Sequence, residues 1–127
     1  MNGKAVDTSV LVGLVRGDVR AEELLEAEPN IHIPVPVVGE LLYGALRSHK
    51  GRKSIEEVHR LLSRYTVIPI TADIAETYAK IRERLAIKGC PIPENDIWIA
   101  ACALMCKLPL MTFDKHFDRI EGLEIIS

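Results

Sequence analysis

Four acidic residues, spread along the chain, have surroundings that could support metal-ion chemistry: Asp7, Glu40, Asp96 and Asp114. Asp7 ends the apolar segment KAVD, and Asp114 follows the apolar segment LPLMT by two residues. If both segments are strands of one parallel sheet, the two carboxylates lie at the same edge, where such sheets collect ligands. Each residue also matches a simple helix N-cap, because Asp, Thr and Ser after a strand are typical cap residues.

Glu40 and Asp96 are harder to explain as structural acids. Glu40 lies inside an apolar helical stripe, and Asp96 is followed directly by the apolar segment IWIA, although a charge at the positive end of a helix dipole is an alternative for Asp96. A carboxylate backed by apolar side chains is costly unless positive charge faces it. Mg²⁺ or Mn²⁺ would supply that charge, because both take oxygen ligands and keep several waters.

The remaining pattern predicts the elements that position these acids. The predicted strands cover residues 3–7, 31–34, 66–70, 108–112 and 123–126. The predicted helices have apolar stripes over residues 19–25, 37–46, 55–65, 74–85 and 97–105, with Pro36 in a first turn and a stop near Gly89. Strands that alternate with helices indicate crossover units, so we expect an α/β fold whose short, mostly parallel sheet is covered on both faces.

The chain as a whole has the size and composition of an ordinary globular domain. Its 127 residues are 48% hydrophobic and 27% charged, which predicts a single domain over residues 1–127. The net charge of -2 gives no overall cationic field, so a nucleic acid must meet a local basic patch. The sequence contains no signal-peptide pattern and no apolar run of ~20 residues, and we therefore expect a cytoplasmic protein.

The three cysteines do not form a disulfide framework, because their number is odd and their spacing is irregular. Cys102 and Cys106 lie four residues apart in an apolar run, which places them on one helix face. Burial in the core is favoured over a zinc site, because no histidine lies near them in the sequence.

Four segments in order resemble a known family: DTSVL near the N-terminus, PVVGELLYGALRS, GCPIPENDIWIAACA and LMTFDKHF. Together they cover nearly the whole chain and are similar to PIN domains, more narrowly to the VapC-type toxins of bacterial and archaeal toxin–antitoxin pairs. The resemblance implies a three-layer PIN-like sandwich and an endoribonuclease that depends on Mg²⁺ or Mn²⁺. It also implies a homodimer and a cognate antitoxin whose tail lies across the acidic pocket.

The resemblance assigns roles to residues at matching positions. The family's acidic quartet corresponds to Asp7, Glu40, Asp96 and Asp114, with supporting positions at Thr8, Ser9, Asn95 and Thr112. Asp7 and Asp96 would hold the principal ion, with the other two acids completing the cluster. The ion would neutralise the scissile phosphate and acidify a water that attacks in line. Glu40 would position or deprotonate that water, and the number of ions stays open.

Two groups of cations could hold the RNA backbone. Lys115 and His116 flank the last acid of the quartet. The other group lies between two predicted helices and comprises Arg47, His49, Lys50, Arg52 and Lys53. Residues 47–53 could equally be a solvated loop with Gly51 at its turn.

Three other functions stay open. A phospho-acceptor signalling domain also places acids and Mg²⁺ at strand ends, but it needs paired acids after the first strand and a lysine after the last, and both are missing. A housekeeping PIN nuclease would process RNA without an antitoxin. A catalytically silent PIN module would keep the fold for binding alone, and the intact quartet argues against it.

Overall fold

The computed structural model describes residues 1–127 and contains five strands and six helices. The strands are β1 (Lys4–Val6), β2 (Ile31–Pro34), β3 (Thr66–Ile68), β4 (Leu110–Met111) and β5 (Ile125–Ile126). The helices are α1 (Thr8–Val15), α2 (Val19–Glu26), α3 (Val35–Leu46), α4 (Arg52–Leu62), α5 (Ala72–Lys88) and α6 (Glu94–Met105). A 3₁₀ turn covers Lys115–Arg119. None of the six helices combines the length and apolarity that crossing a bilayer requires.

The five strands form one parallel sheet in the order β3-β2-β1-β4-β5. The chain runs from β1 outward through β2 to β3, then returns past β1 to β4 and β5. Because crossovers between parallel strands are right-handed, this reversal puts helices on both faces of the sheet. The predicted α/β class and helix-covered sheet are therefore confirmed. The reversal also opens a crevice between the carboxyl ends of β1 and β4, where ligands of such sheets bind.

Helix α1 is the element that the sequence pattern does not predict. Its sequence TSVLVGLV is apolar at most positions and rich in β-branched valine, so it has little of the polar–apolar contrast that marks a surface helix. Its helical state depends on tertiary packing instead: Val10 and Leu11 are fully buried, and α1 packs against α2 and α3. A second correction concerns α4, which ends at Leu62, so that Tyr65 lies beyond the helix.

Helix α6 forms the centre of the core and carries one of the four acids. Seven of its twelve residues are buried, and it packs against α5 and against β1 and β2. It begins directly after Pro93, which puts Asp96 in its first turn at the positive end of the helix dipole. Cys102 is fully buried in the same helix, as predicted, and burial raises the pKa of its thiol to about 12. A thiol with that pKa is inert at neutral pH.

Candidate active site

Asp7 lies directly after β1 and is 4% exposed. It occupies the N-cap position of α1, but its side chain caps no backbone N–H, so the interpretation of Asp7 as a structural cap is wrong. Instead, its Oδ2 accepts hydrogen bonds from Ser9 Oγ at 2.8 Å and from Thr112 Oγ1 at 2.7 Å. Because both donors use the same oxygen, Oδ1 has no donor from the protein.

The hydroxyls that hold Asp7 also tie together the two strand ends that border the crevice. Thr112 Oγ1 accepts a hydrogen bond from the backbone N–H of Asp114 at 2.9 Å, and Ser9 Oγ accepts one from the N–H of Phe113 at 3.0 Å. Thr112 is buried and Ser9 is partly buried. The turn after β1 and the segment after β4 are therefore held in one fixed arrangement, although they are about a hundred residues apart in sequence.

Asp114 combines a structural role with a place in the cleft. Its Oδ1 accepts the backbone N–H of His116 at 2.9 Å and so caps the 3₁₀ turn, which means that the cap interpretation is correct for this acid. The side chain is partly exposed and lines the acidic cleft. The cap uses only one acceptor position of Oδ1, so Oδ1 keeps a second one and the other oxygen is free for a ligand.

Glu40 reaches the same region from α3. Its Oε1 accepts a hydrogen bond from Thr8 Oγ1 at 2.7 Å, which links α3 to the first residue of α1. The contact orients a partly buried glutamate that the apolar stripe of α3 would otherwise leave without a polar partner. Thr8 and Ser9 are thus both positioning residues, each for a different acid.

Asp96 is a buried acid with a perturbed pKa. It is 8% exposed and receives no hydrogen bond from the protein. Its pKa is raised to about 6, first by burial and then by the negative charges of Asp7, Asp114 and Glu40, with His116 acting in the opposite direction. These charge interactions mean that the fold brings all four predicted acids into one electrostatic cluster.

Three of the four acids line an open cleft of about 470 Å³ at the carboxyl ends of the strands, and Asp7 is buried behind it. Its lining residues are Glu40, Pro93, Glu94, Asn95, Asp96, Asp114 and His116. No lysine or arginine is among them. Arg82 pairs with Glu94 from outside the lining, whereas the four predicted acids have no such partner. Clustered oxygen donors with uncompensated negative charge fit a hard divalent cation. Asn95, a predicted supporting residue, is exposed on this lining.

His116 is the site residue whose part in the cluster the sequence pattern does not predict. The sequence presents it only as a cation flanking Asp114, whereas the structure places its ring nitrogen in a group with Asp96 and Asp114 whose donor atoms all lie within 4.8 Å. The sequence feature that could have predicted this placement is the position of His116, two residues after an acid that caps a turn. That spacing folds a side chain back towards the capping acid.

The predicted RNA-binding cations divide into two groups. Lys115 is exposed at the start of the 3₁₀ turn, next to Asp114. The cations of residues 47–53 are exposed but do not line the acidic cleft, and they do not all lie in a loop: Arg52 and Lys53 form the first turn of α4, while Arg47 ends α3 and Lys50 lies between the helices.

An apolar groove of about 340 Å³ adjoins the acidic cleft between α1, α3 and α4. Val12, Leu41 and Val58 contribute apolar lining, and Arg16 and Glu57 provide charges of both signs. Glu40 lines both the groove and the cleft, so the two depressions are neighbours that share this residue.

Comparisons with known proteins agree on one family. The profile of the PIN domain matches residues 4–123. Ribonuclease VapC1 of Rickettsia felis is 31% identical over 98% of this chain and 96% of its own, and Ribonuclease VapC1 of Haemophilus influenzae is 32% identical over 94% and 92%. Among solved structures, the DNA-bound VapBC of Salmonella typhimurium superposes with a TM-score of 0.90 at 27% identity, covering 99% of this chain and 98% of that one. VapBC2 of Rickettsia felis, bound to a promoter DNA fragment, gives 0.89 at 27% identity, covering 97% and 96%.

Proposed function

This chain belongs to the PIN domain family, in its VapC branch, and on that premise we propose that it is the endoribonuclease toxin of a toxin–antitoxin pair, dependent on Mg²⁺ or Mn²⁺. The observation that carries the proposal is the convergence of Asp7, Glu40, Asp96 and Asp114 in one electrostatic cluster, beside a cleft whose lining has no lysine or arginine. The names of the relatives support the reaction, and the VapBC complexes support the antitoxin.

The acids fit the ion that this function requires. Asp7 and Asp96 would hold it, with Asp114 and Glu40 completing the set, because each of the four has at least one carboxylate oxygen free of hydrogen bonds from the protein. A bound divalent ion would supply positive charge against the phosphodiester and would lower the pKa of water at the site. It would also relieve the crowding of charge that raises the pKa of Asp96.

The residues of the chain itself would orient the reaction. Ser9 and Thr112 fix the plane of the Asp7 carboxylate, and Thr8 fixes one oxygen of Glu40. We assign to the second oxygen of Glu40 the acceptance of a proton from the attacking water, since this acid stands at the mouth of the cleft. Asn95 on the lining and the exposed Lys115 are available to the RNA backbone.

Substitution of Asp7 tests the function directly. Asp7→Asn keeps the size of the side chain but removes its charge, so cleavage of RNA in Mg²⁺ or Mn²⁺ should fall to background while the fold is retained. The matched control is Asp73→Asn, an exposed acid on α5, which should cleave like the wild type. Cleavage is followed on total RNA with and without EDTA. Full activity of Asp7→Asn, or wild-type cleavage that persists in EDTA, would contradict the proposal.

The apolar groove is the surface that we assign to the antitoxin. Its apolar floor suits one face of an amphipathic segment. Because Glu40 lines both the groove and the cleft, a partner chain in the groove would be near enough to reach the acids with a basic side chain. Such a contact would occupy the place of the ion or of the phosphate. The antitoxin would then block the reaction at its centre.

A homodimer is also part of the proposal. β3 is an edge strand, and the exposed apolar side chains of Val35, Val67 and Ile70 lie on or beside it. Edge strands of monomeric proteins are usually kept short or protected by charge. β3 is short, but the exposed apolar side chains on and beside it favour association.

A housekeeping PIN nuclease is the second candidate, and cell growth separates the two. A toxin should stop growth when it is expressed alone, and co-expression of a DNA-binding protein encoded by the neighbouring gene should restore it. Normal growth under strong expression of active protein would favour the housekeeping nuclease. Mapping of the RNA ends produced in these cells would identify the target.

A further inference from the structure

The imidazole of His116 has a contact that the roles assigned so far do not explain. Its Nδ1 lies 3.1 Å from Asp114 Oδ1 and 3.4 Å from Asp96 Oδ2. Although 42% of the side chain is exposed, Nδ1 itself is enclosed and has no hydrogen-bond partner, so neither contact has the geometry of a hydrogen bond. The nitrogen therefore lies in the acidic cluster without a protein partner that uses it.

The backbone that carries the ring is anchored on both sides. The N–H of His116 donates to Asp114 Oδ1, which holds the first turn of the 3₁₀ segment. The next residue, Phe117, is fully buried in the core. Since the turn is anchored by a cap and by a buried aromatic side chain, the backbone holds His116 beside Asp96 and Asp114.

The spacing of the donor atoms matches that of metal ligands. Adjacent ligands of an octahedral ion, each about 2.1 Å from it, lie about 3 Å from each other. The distances of 3.1 and 3.4 Å from Nδ1 to the two carboxylates are close to that value. The three donor atoms all lie within 4.8 Å of one another, which is little more than the separation of two ligands on opposite sides of one ion.

We propose that His116 Nδ1 is a direct ligand of the divalent ion, together with Asp96 and Asp114, and this proposal rests on the metal-dependent function proposed above. Mg²⁺ prefers oxygen ligands, whereas imidazole nitrogen suits transition-metal ions. Mn²⁺ accepts both kinds of donor. The site should therefore bind Mn²⁺ more tightly than Mg²⁺, and His116 is the residue that sets this preference.

The test measures metal binding without RNA. Mn²⁺ is added to the wild type, to His116→Ala and to the control His59→Ala, an exposed histidine on α4. Electron spin echo modulation reports nitrogen coordinated to Mn²⁺, and calorimetry gives Kd for Mn²⁺ and for Mg²⁺. We expect ¹⁴N modulation in the wild type and the control but not in His116→Ala. Loss of the ligand should weaken Mn²⁺ binding by about tenfold or more, and Mg²⁺ binding by less.

Each outcome decides the proposal separately from the ribonuclease assignment. Unchanged ¹⁴N modulation or an unchanged Kd for Mn²⁺ in His116→Ala overturns the nitrogen ligand, even where RNA cleavage still needs a metal and Asp7. If His116→Ala weakens the binding of Mn²⁺ and of Mg²⁺ equally, His116 does not set the preference for Mn²⁺. Loss of the modulation with weaker Mn²⁺ binding supports the ligand, even where the wild type cleaves no RNA. Circular dichroism of His116→Ala verifies that the fold is intact, and His116→Asn repeats the test with a smaller change of shape.

Discussion

At the level of single side chains, the four acids of the cleft differ in how the protein holds them. Asp7 receives two hydroxyl hydrogen bonds, Glu40 receives one, and Asp114 is fixed by the turn that it caps. Asp96 receives none and has the pKa that is raised to about 6. Its charge is therefore unfavourable in the metal-free protein.

The stability of the metal-free protein should depend on the protonation of Asp96. Its pKa rises from an ordinary value of 3.8 to about 6 on folding, so the folded state holds the proton more tightly than the unfolded chain between these pH values. This contribution is present at low pH and is lost as pH rises through 6. Asp96→Asn should therefore stabilise the protein at pH 7, by at most about 3 kcal/mol. Denaturant unfolding in EDTA at pH 4.5 and 7 measures this, and equal pH dependence in wild type and variant would contradict it.

Thr112 should matter more for activity than for stability. Thr112→Val removes the hydroxyl that donates to Asp7 and accepts from Asp114, so it should lower metal-dependent cleavage by about 10- to 100-fold. The lost hydrogen bonds should cost about 1–3 kcal/mol of unfolding free energy. Thr77→Val removes a hydroxyl that bonds only within α5 and to Met105, and it serves as the control. If Thr112→Val folds and cleaves RNA at the wild-type rate, Thr112 does not position Asp7 for the reaction.

At the level of elements, the sequence predicts the strands of the sheet better than it predicts α1, the helix that follows Asp7. All five strands are short apolar segments bounded by turns, and the structure has strands at all five positions, several of them shorter than predicted. α1 gives no such signal, because its valines favour strands and its apolar positions are not confined to one face. The contacts with α2 and α3 that make it helical cannot be deduced from local sequence.

The site could be predicted in part, because the sequence identifies the strand ends but not the directions of the helices. The rule that parallel strands collect ligands at their carboxyl ends brings Asp7 and Asp114 together from sequence alone. Glu40 and Asp96 lie on different helices whose directions local patterns do not specify, so their convergence came from the family resemblance. His116 was not assigned to the cluster, because its place depends on a cap formed by one carboxylate oxygen of Asp114.

The groove between α1, α3 and α4 gives a test of antitoxin binding. A side chain added at Gly44 would meet no atom within 4 Å, and Gly44 lines the groove. Gly44→Leu should therefore fill the groove, lower the affinity for the antitoxin by about tenfold or more and leave RNA cleavage unchanged. Gly39→Leu is the matched control, because Gly39 is also open and on α3 but does not line the groove. Calorimetry measures the affinity of each variant for the antitoxin. Equal affinities of Gly44→Leu and Gly39→Leu would contradict the assignment of the groove.

At the level of the whole molecule, the edge strand β3 should decide the oligomeric state. Val67 is 39% exposed on this strand, and a charge there should oppose pairing of two copies. We expect the wild type to sediment with twice the chain mass of 14.1 kDa and Val67→Lys to sediment as a monomer. Val19→Lys introduces the same charge at an exposed position on α2 and should stay dimeric. A monomeric wild type would contradict the proposed homodimer.

The hydrogen bond from Thr112 to Asp7 joins residues 105 positions apart, and this separation has a consequence during synthesis. A ribosome adds about 5–20 residues per second, so on the order of 5 to 20 s pass between the translation of the first acid and that of its partner hydroxyl. The lining of the groove is complete in sequence at Leu61, well before Asp96 and Asp114 are made. The part of the sequence that lines the groove is thus translated before the acidic centre, and a nascent chain that has not reached residue 114 lacks one acid of the proposed site.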